Sequence, residues 1–278
     1  MQLRQAIQTA VQRLQSAHIG SPQMNAELLA MFVLGCDRAY LFAHRERTLT
    51  KDEIARYDEA LGERARGVPA QYITGHQEFW GLDLIVSPAV LIPRPETEHV
   101  IETVLELGRD WPVQRVVDVG TGSGCIALAL AKEFPAAEIH ATEISPEALE
   151  IARANAARHQ LEQRVQFHET DLLEGIEPAA FDYVVSNPPY IGEWEAESVE
   201  AQVRRFEPRG ALFAGPRGVE VFARLIPQAE SVLKPGGWLV MEMGHSSRDQ
   251  VCGLLHSWAE IRITNDLQGI ARVVAARR

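Results

Sequence analysis

Val116-Val117-Asp118-Val119-Gly120-Thr121-Gly122-Ser123-Gly124 carries a β-branched run straight into three glycines at alternate positions. The apolar run reads as a buried strand, and Cys125–Ala131 reads as the helix that follows the turn. Glycine lets the backbone approach a ligand closely, and the first turn of the helix offers unpaired N–H groups to an anion. In an open α/β sheet a loop of this kind lies beyond the carboxyl ends of the strands, where ligands bind. Gly120, Thr121, Gly122, Ser123 and Gly124 are therefore candidate cofactor-binding residues. The third glycine falls one place earlier than the dinucleotide fingerprint requires, which counts against NAD or FAD.

Strands and helices alternate outward from this loop. Strands are predicted at Arg115–Val119, Glu138–Glu143, Arg164–His168, Phe181–Ser186, Gly237–Met243, and near Ile261 and Val273. Helices are predicted over Gly124–Glu133, Pro146–Arg158, Val219–Leu233 and Ser246–Leu255. Such alternation implies right-handed βαβ units and a doubly wound, largely parallel sheet. The last two strands have no helix-length spacer between them, so an antiparallel pair is expected at one edge.

Three further segments leave carboxyl ends of predicted strands. Glu143 closes the second strand about 20 residues after the glycine loop, the spacing at which a carboxylate accepts hydrogen bonds from ribose hydroxyls. By itself it could equally be an acid capping the helix behind Ser145-Pro146. Asp171-Leu172 follows the third strand. Asp171 is positioned to accept from an adenine amino group while Leu172 covers the ring, although a lone aspartate after a strand is more often a turn residue.

Asn187-Pro188-Pro189-Tyr190 leaves the fourth strand. Its two prolines stiffen the backbone and remove two N–H donors, so nearby carbonyls stand as unopposed acceptors. A planar amide or amine nitrogen presents two N–H donors and a delocalised lone pair. Acceptance of both hydrogens, by the Asn187 side-chain oxygen and the Pro188 carbonyl, would hold that nitrogen and raise its electron density. Stacking on Tyr190 would orient the plane toward a methyl donor. Asn187, Pro188 and Tyr190 are the candidate catalytic residues, with Pro189 completing the substrate-binding set. An isolated tetrapeptide of this kind would be only a proline-rich turn; its place four strands into a cofactor-binding fold favours the functional reading.

The first 75 residues read as helices. Leu3, Ile7, Val11 and Leu14 share one helical face. Ser21-Pro22 reads as an N-cap before a helix burying Leu28, Leu29, Phe32 and Val33, with Gly35 as its stop. Thr50 to Glu53 fits a capping box, and Gly67-Val68-Pro69 ends that helix. Residues 76–95 read as a hairpin or extended linker, and a helix from near Glu96 turns Val100, Ile101, Val104 and Leu105 inward. The expected organisation is a helical domain over 1–75, a linker over 76–95 and a catalytic domain over 96–278.

Composition narrows the function. A net charge of −11 is a poor match to a duplex nucleic acid read through its phosphates. No run of 18 apolar residues is long enough to span a bilayer, and the N-terminus lacks a signal-peptide pattern. Three separated cysteines fit neither a disulfide framework nor a metal site. Nine histidines offer no convincing metal site either, and Glu242-x-x-His245 reads as structural. A cytoplasmic protein without a metal, without direct nucleic-acid contact and without a membrane is expected.

The glycine loop, Glu143 and Asn187-Pro-Pro-Tyr190 together resemble the class I methyltransferases that act on amide and exocyclic amine nitrogens. More narrowly, the chain is similar over residues 1–278 to the peptide chain release factor glutamine methyltransferase family. The residues that carry this are Leu91-Ile92-Pro93-Arg94-Pro95-Glu96-Thr97-Glu98, Glu78-Phe79-Trp80, Arg205-Phe206-Glu207-Pro208 and the helical N-terminal domain. The resemblance implies a seven-stranded class I methyltransferase sheet with its last strand antiparallel and a helical domain in front. It implies S-adenosylmethionine as methyl donor, S-adenosylhomocysteine as product, and N5-methylation of the glutamine in the Gly-Gly-Gln loop of class I release factors, which the N-terminal domain helps dock. It places Gly120 to Gly124, Glu143 and Leu172 at the cofactor, Asn187 at cofactor and substrate, and Pro188, Pro189 and Tyr190 around the glutamine. Glu143 stands where many relatives have aspartate and Leu172 where some have an aromatic residue; both substitutions should tune cofactor affinity. Arg94 and Glu96 are open between an ion pair or helix-start acid and a role in shaping the cleft. The competing readings are a ribosomal-protein glutamine methyltransferase, an adenine-N6 nucleic-acid methyltransferase, a nucleotide-binding oxidoreductase and a pure binding module.

Overall fold

The computed structural model describes residues 1–278, which form two compact units. One comprises Met1–His76 with Ala201–Phe206, the other Gln77–Glu200 with Glu207–Arg278.

In the helical unit, the helices Leu3–Ser16, Pro22–Leu34 and Lys51–Ala65 bury Leu3, Ala6, Ala10, Leu14, Leu29, Val33 and Leu61 against one another. The capping box forms as expected: Thr50 Oγ1 accepts from the Glu53 amide at 3.2 Å and Glu53 Oε2 from the Thr50 amide at 2.8 Å. Gly35 ends its helix in the left-handed region at φ 61°, where a side chain is disfavoured. Two expectations fail here. Ser21 itself sits at φ 48° and makes no side-chain cap. The buried Asn25 side chain instead ties down the turn before the helix, donating to the Gly20 and Ser21 carbonyls at 2.9 and 3.1 Å, and leaves the first N–H groups without a side-chain cap. Phe32 is exposed, because the face that packs runs through Ala26, Leu29, Ala30 and Val33 instead.

The second unit is built on a seven-stranded sheet. Its strands are β1 (Arg115–Val119), β2 (Glu138–Glu143), β3 (Val165–Glu169), β4 (Phe181–Ser186), β5 (Leu233–Glu242), β6 (Glu260–Asn265) and β7 (Ala271–Arg277). The order across the sheet is β6-β7-β5-β4-β1-β2-β3. β7 runs antiparallel to both β5 and β6, and the pairs among β1 to β5 are parallel. The antiparallel pair expected at one edge is therefore present, with the last strand one position in. β4 and β1 are buried along nearly their whole length, as both faces of a parallel sheet require.

Register fixes what meets at the carboxyl edge. Val119 of β1 is level with Thr142 of β2 and Ser186 of β4, and Ser186 is level with Met241 of β5. The residues that follow (Gly120, Glu143, Asn187 and Glu242) therefore leave the sheet side by side. A bond from Ser186 Oγ to the Val119 carbonyl, at 2.7 Å, clamps two of these strand ends together.

Ahead of the sheet, His76–Phe79 and Leu82–Ile85 form a hairpin around Trp80 and Gly81, at φ 51° and 68°. Two left-handed residues in a two-residue loop match the twist of the flanking strands. The buried Asn155 side chain accepts from the Ile85 amide at 2.7 Å and donates to the Ile85 and Ser123 carbonyls at 3.0 and 2.9 Å. Pro95–Thr97 then makes one 3-10 turn into the helix Glu98–Leu107, which buries Val100, Ile101, Val104 and Leu107, with Leu105 at the margin.

Candidate active site

Gly120, Gly122 and Gly124 lie at φ 70°, 55° and 85°, a succession open to glycine and costly for any other residue. The loop is braced from below. The Gly120 and Thr121 amides donate to the Thr142 carbonyl at 2.9 and 3.0 Å. Asp118, fully buried at the end of β1, accepts from Thr121 Oγ1 at 2.6 Å and the Ala127 amide at 3.1 Å. Burial pushes the Asp118 carboxyl up to about 7, against the pull of those two hydrogen bonds.

Glu143 turns toward the loop. Its Oε2 accepts from the Gly122 amide at 3.0 Å, and Oε1 from the Ile144 and Ser145 amides at 2.9 and 3.0 Å. The helix Pro146–Arg158 is capped separately by Ser145 Oγ, which accepts from the Ala148 amide at 3.2 Å. Glu143 is thus not the cap of that helix.

Gly120 to Ser123, Glu143, Asp171, Leu172, Asn187 and Pro189 line a cavity of about 440 Å³. Ile144 and Leu172 give it apolar patches. Leu172 adopts φ 54°, a conformation that a leucine holds only when its surroundings impose it. Asp171 is engaged through one oxygen with Arg224, at 2.5 Å. Cys125 also lines the cavity, and burial pushes its thiol up to about 12, which favours the protonated form.

Pro188 is buried and Tyr190 half-buried, beside the cavity wall rather than on it. Behind them lies a relay that sequence reasoning missed. Asn187 Nδ2 donates to Thr97 Oγ1 at 3.0 Å, and Thr97 Oγ1 donates to Glu242 Oε2 at 2.6 Å. The Tyr190 hydroxyl donates to Glu242 Oε1 at 3.3 Å. Glu242 is 2% exposed, and burial pushes its carboxyl up to about 7. The available signal was a carboxylate ending the apolar run Trp238-Leu239-Val240-Met241, since a buried acid is far less common than an exposed one. Arg94 resolves to an ion pair with the buried Glu207, whose other oxygen accepts from the Ile92 amide at 3.1 Å.

The cavity suits a nucleoside-bearing cofactor. Glu143 Oε2 makes one hydrogen bond and has acceptor capacity left for a hydroxyl. The glycine backbone stands without side chains on the same wall, and apolar groups flank it.

The sheet order and the loop are those of a methyltransferase fold. At this level the structure resembles the hMettl16 catalytic domain solved with a 3′UTR hairpin, with a TM-score of 0.59, 17% identity and coverage of 86% of this chain and 92% of that one. A methyltransferase from Pyrococcus furiosus gives a TM-score of 0.53 at 20% identity, covering 71% and 89%. Residues 99–211 match the methyltransferase small domain, and residues 5–75 match the PrmC N-terminal domain. The release factor glutamine methyltransferase of Koribacter versatilis is 57% identical over 100% of this chain and 99% of its own length. That of Geobacter sulfurreducens is 39% identical over 93% and 90%. The chain belongs to the release factor glutamine methyltransferase family, a family of S-adenosylmethionine-dependent methyltransferases.

Proposed function

We propose that this protein transfers a methyl group from S-adenosylmethionine to the side-chain N5 of the glutamine in the Gly-Gly-Gln loop of class I peptide chain release factors, and so modulates translation termination. The observation that carries the reading is the Asn187 amide, tied by its nitrogen to Thr97 and placed on the wall of the cavity that holds the glycine loop and Glu143.

Bound in that cavity, S-adenosylmethionine supplies an electrophilic methyl group. Gly120, Thr121, Gly122, Ser123 and Gly124 receive the cofactor along their backbone, and Glu143 accepts from its ribose hydroxyls. Leu172 covers the purine and Asp171 takes its amino group with the oxygen that Arg224 leaves free. Asn187 Oδ1 and the Pro188 carbonyl accept the two amide hydrogens of the glutamine, localising electron density on nitrogen. Pro189 and Tyr190 keep this frame rigid. Residues 1–75 serve partner docking, 76–95 supply the hairpin and the stretch that leads into the catalytic part, and 96–278 carry catalysis. No helix is long and apolar enough to cross a membrane, and a cytoplasmic site of action fits a partner that works in translation.

The decisive assay supplies labelled methyl donor with an intact release factor and with its glutamine-to-alanine loop variant. Label on the first and not the second is expected. Label on nucleic acid, or on both factors equally, overturns the substrate assignment.

A further inference from the structure

We propose that Glu242 is a positioning residue for methyl transfer: through the Thr97 hydroxyl it fixes which end of the Asn187 amide faces the substrate. The inference rests on the reading of Asn187 as the group that receives the glutamine amide.

The argument is one of hydrogen-bond polarity. An ionised carboxylate has only lone pairs to offer. Thr97 Oγ1, at 2.6 Å from Glu242 Oε2, must spend its single proton there. What the Thr97 oxygen then presents to Asn187 is lone pairs, and only the NH2 end of the amide can answer them, at 3.0 Å. The amide oxygen is turned the opposite way as an acceptor. With the amide flipped, its oxygen would face the Thr97 lone pairs, an unfavourable contact in a buried setting. A glutamine at 242 would lift the constraint. Its NH2 could donate to Thr97, freeing the hydroxyl proton to turn toward Asn187, so that either amide orientation is satisfied.

Apart from the relay, Glu242 accepts from the Tyr190 hydroxyl, which belongs to the same Asn187–Tyr190 segment. Glu242 forms no ion pair within contact distance, and it closes a strand that is otherwise apolar along its buried length. The charged and titratable groups around it are Glu96, which disfavours its charge, Arg272, which favours it, Tyr190 in direct contact, and Cys125. Burial outweighs them and lifts the carboxyl to about 7. Protonation gives one oxygen a donor and undoes the polarity of the relay. The ordering of Asn187 is therefore complete above this range and lost as the pH falls through it.

The test reads Asn187 itself. In protein labelled with 15N at asparagine, without cofactor, the Asn187 side-chain NH2 resonance is assigned by its loss in Asn187→Ala. It should shift with a midpoint near 7 in the wild type and stay flat in Glu242→Gln. Thr97→Val cuts the relay without touching the carboxylate and should also be flat, which keeps the test open if Glu242→Gln fails to fold. Asp118 titrates in the same range, so the difference between wild type and variant decides. In the methylation assay at about pH 8, Glu242→Gln should lower kcat about 10- to 100-fold, as a misplaced reacting group does, with KM for the release factor and Kd for the cofactor within about threefold. An Asn187 resonance that titrates equally in wild type and Glu242→Gln, or wild-type kcat in that variant, overturns the proposal. Should the wild type leave release factors unmethylated, the substrate assignment falls, and the resonance experiment still decides the role of Glu242.

Discussion

The two walls of the cavity are built in opposite ways. The glycine loop and Glu143 are held by neighbours in consecutive βα units: Asp118 reaches Thr121 and Ala127, and Glu143 reaches Gly122. The Asn187 wall is held by residues remote in the chain, Thr97 from the 3-10 turn ahead of the sheet and Glu242 from the fifth strand. The first wall is a local motif that a single βαβ unit can carry. The second exists only once β4 and β5 are paired in register, with Ser186 beside Met241.

That contrast can be broken experimentally. The largest effect is expected for Asn187→Ala, which should lower kcat about 100- to 1000-fold while cofactor Kd, measured by titration calorimetry, changes little. A parallel loss of cofactor binding would mean that the two walls are not separable. Glu143→Ala should do the reverse. Loss of a charged hydrogen-bond acceptor costs about 1.5–3 kcal/mol, or about 10- to 100-fold in cofactor Kd, with kcat at saturating cofactor nearly retained. An unchanged Kd would remove Glu143 from the ribose.

Smaller and opposite in sign is the stability of Glu242→Gln. The folded protein keeps a proton on Glu242 up to about 7, whereas the unfolded chain releases it near the ordinary 4.5. Stability is therefore lost as pH rises from about 4.5 to 7, and a neutral glutamine escapes that loss. The variant should be more stable than the wild type at pH 8 by about 1–3 kcal/mol, read as a higher Tm, with the advantage vanishing near pH 4. Greater stability with lower turnover is the signature of a residue kept for function. A lower Tm at pH 8 would make Glu242 a structural acid. Smallest is Tyr190→Phe, which removes only the 3.3 Å bond to Glu242 and should cost under about 1 kcal/mol in either assay.

The same contrast explains what could be read from the sequence. Strand–loop–helix units announce themselves through apolar runs and glycines, so β1, β2, β4, the glycine loop and Glu143 lie where the pattern put them. Arg164 falls just outside β3, and β5 starts at Leu233 rather than Gly237 because Leu233 already pairs with Phe181, after which Lys234 to Gly237 form an irregularity before pairing resumes at Trp238. Asn187 to Tyr190 stood out because two adjacent prolines have few uses. Thr97 and Glu242 did not, since neither has a partner within reach along the chain. Ser21 and Phe32 misled for a related reason: Ser21 sits in a left-handed turn tied down by Asn25 and caps nothing, and the packed face runs through residues smaller than Phe32.

Asn155 joins the Leu82–Ile85 strand and the Ser123 carbonyl through one buried side chain. Segments that share a hydrogen-bonding partner open together or not at all. In hydrogen exchange, the Ile85 amide and the amides at the start of the Cys125–Glu133 helix should slow as one unit. Asn155→Ala should release both at once, although they lie some forty residues apart in the chain.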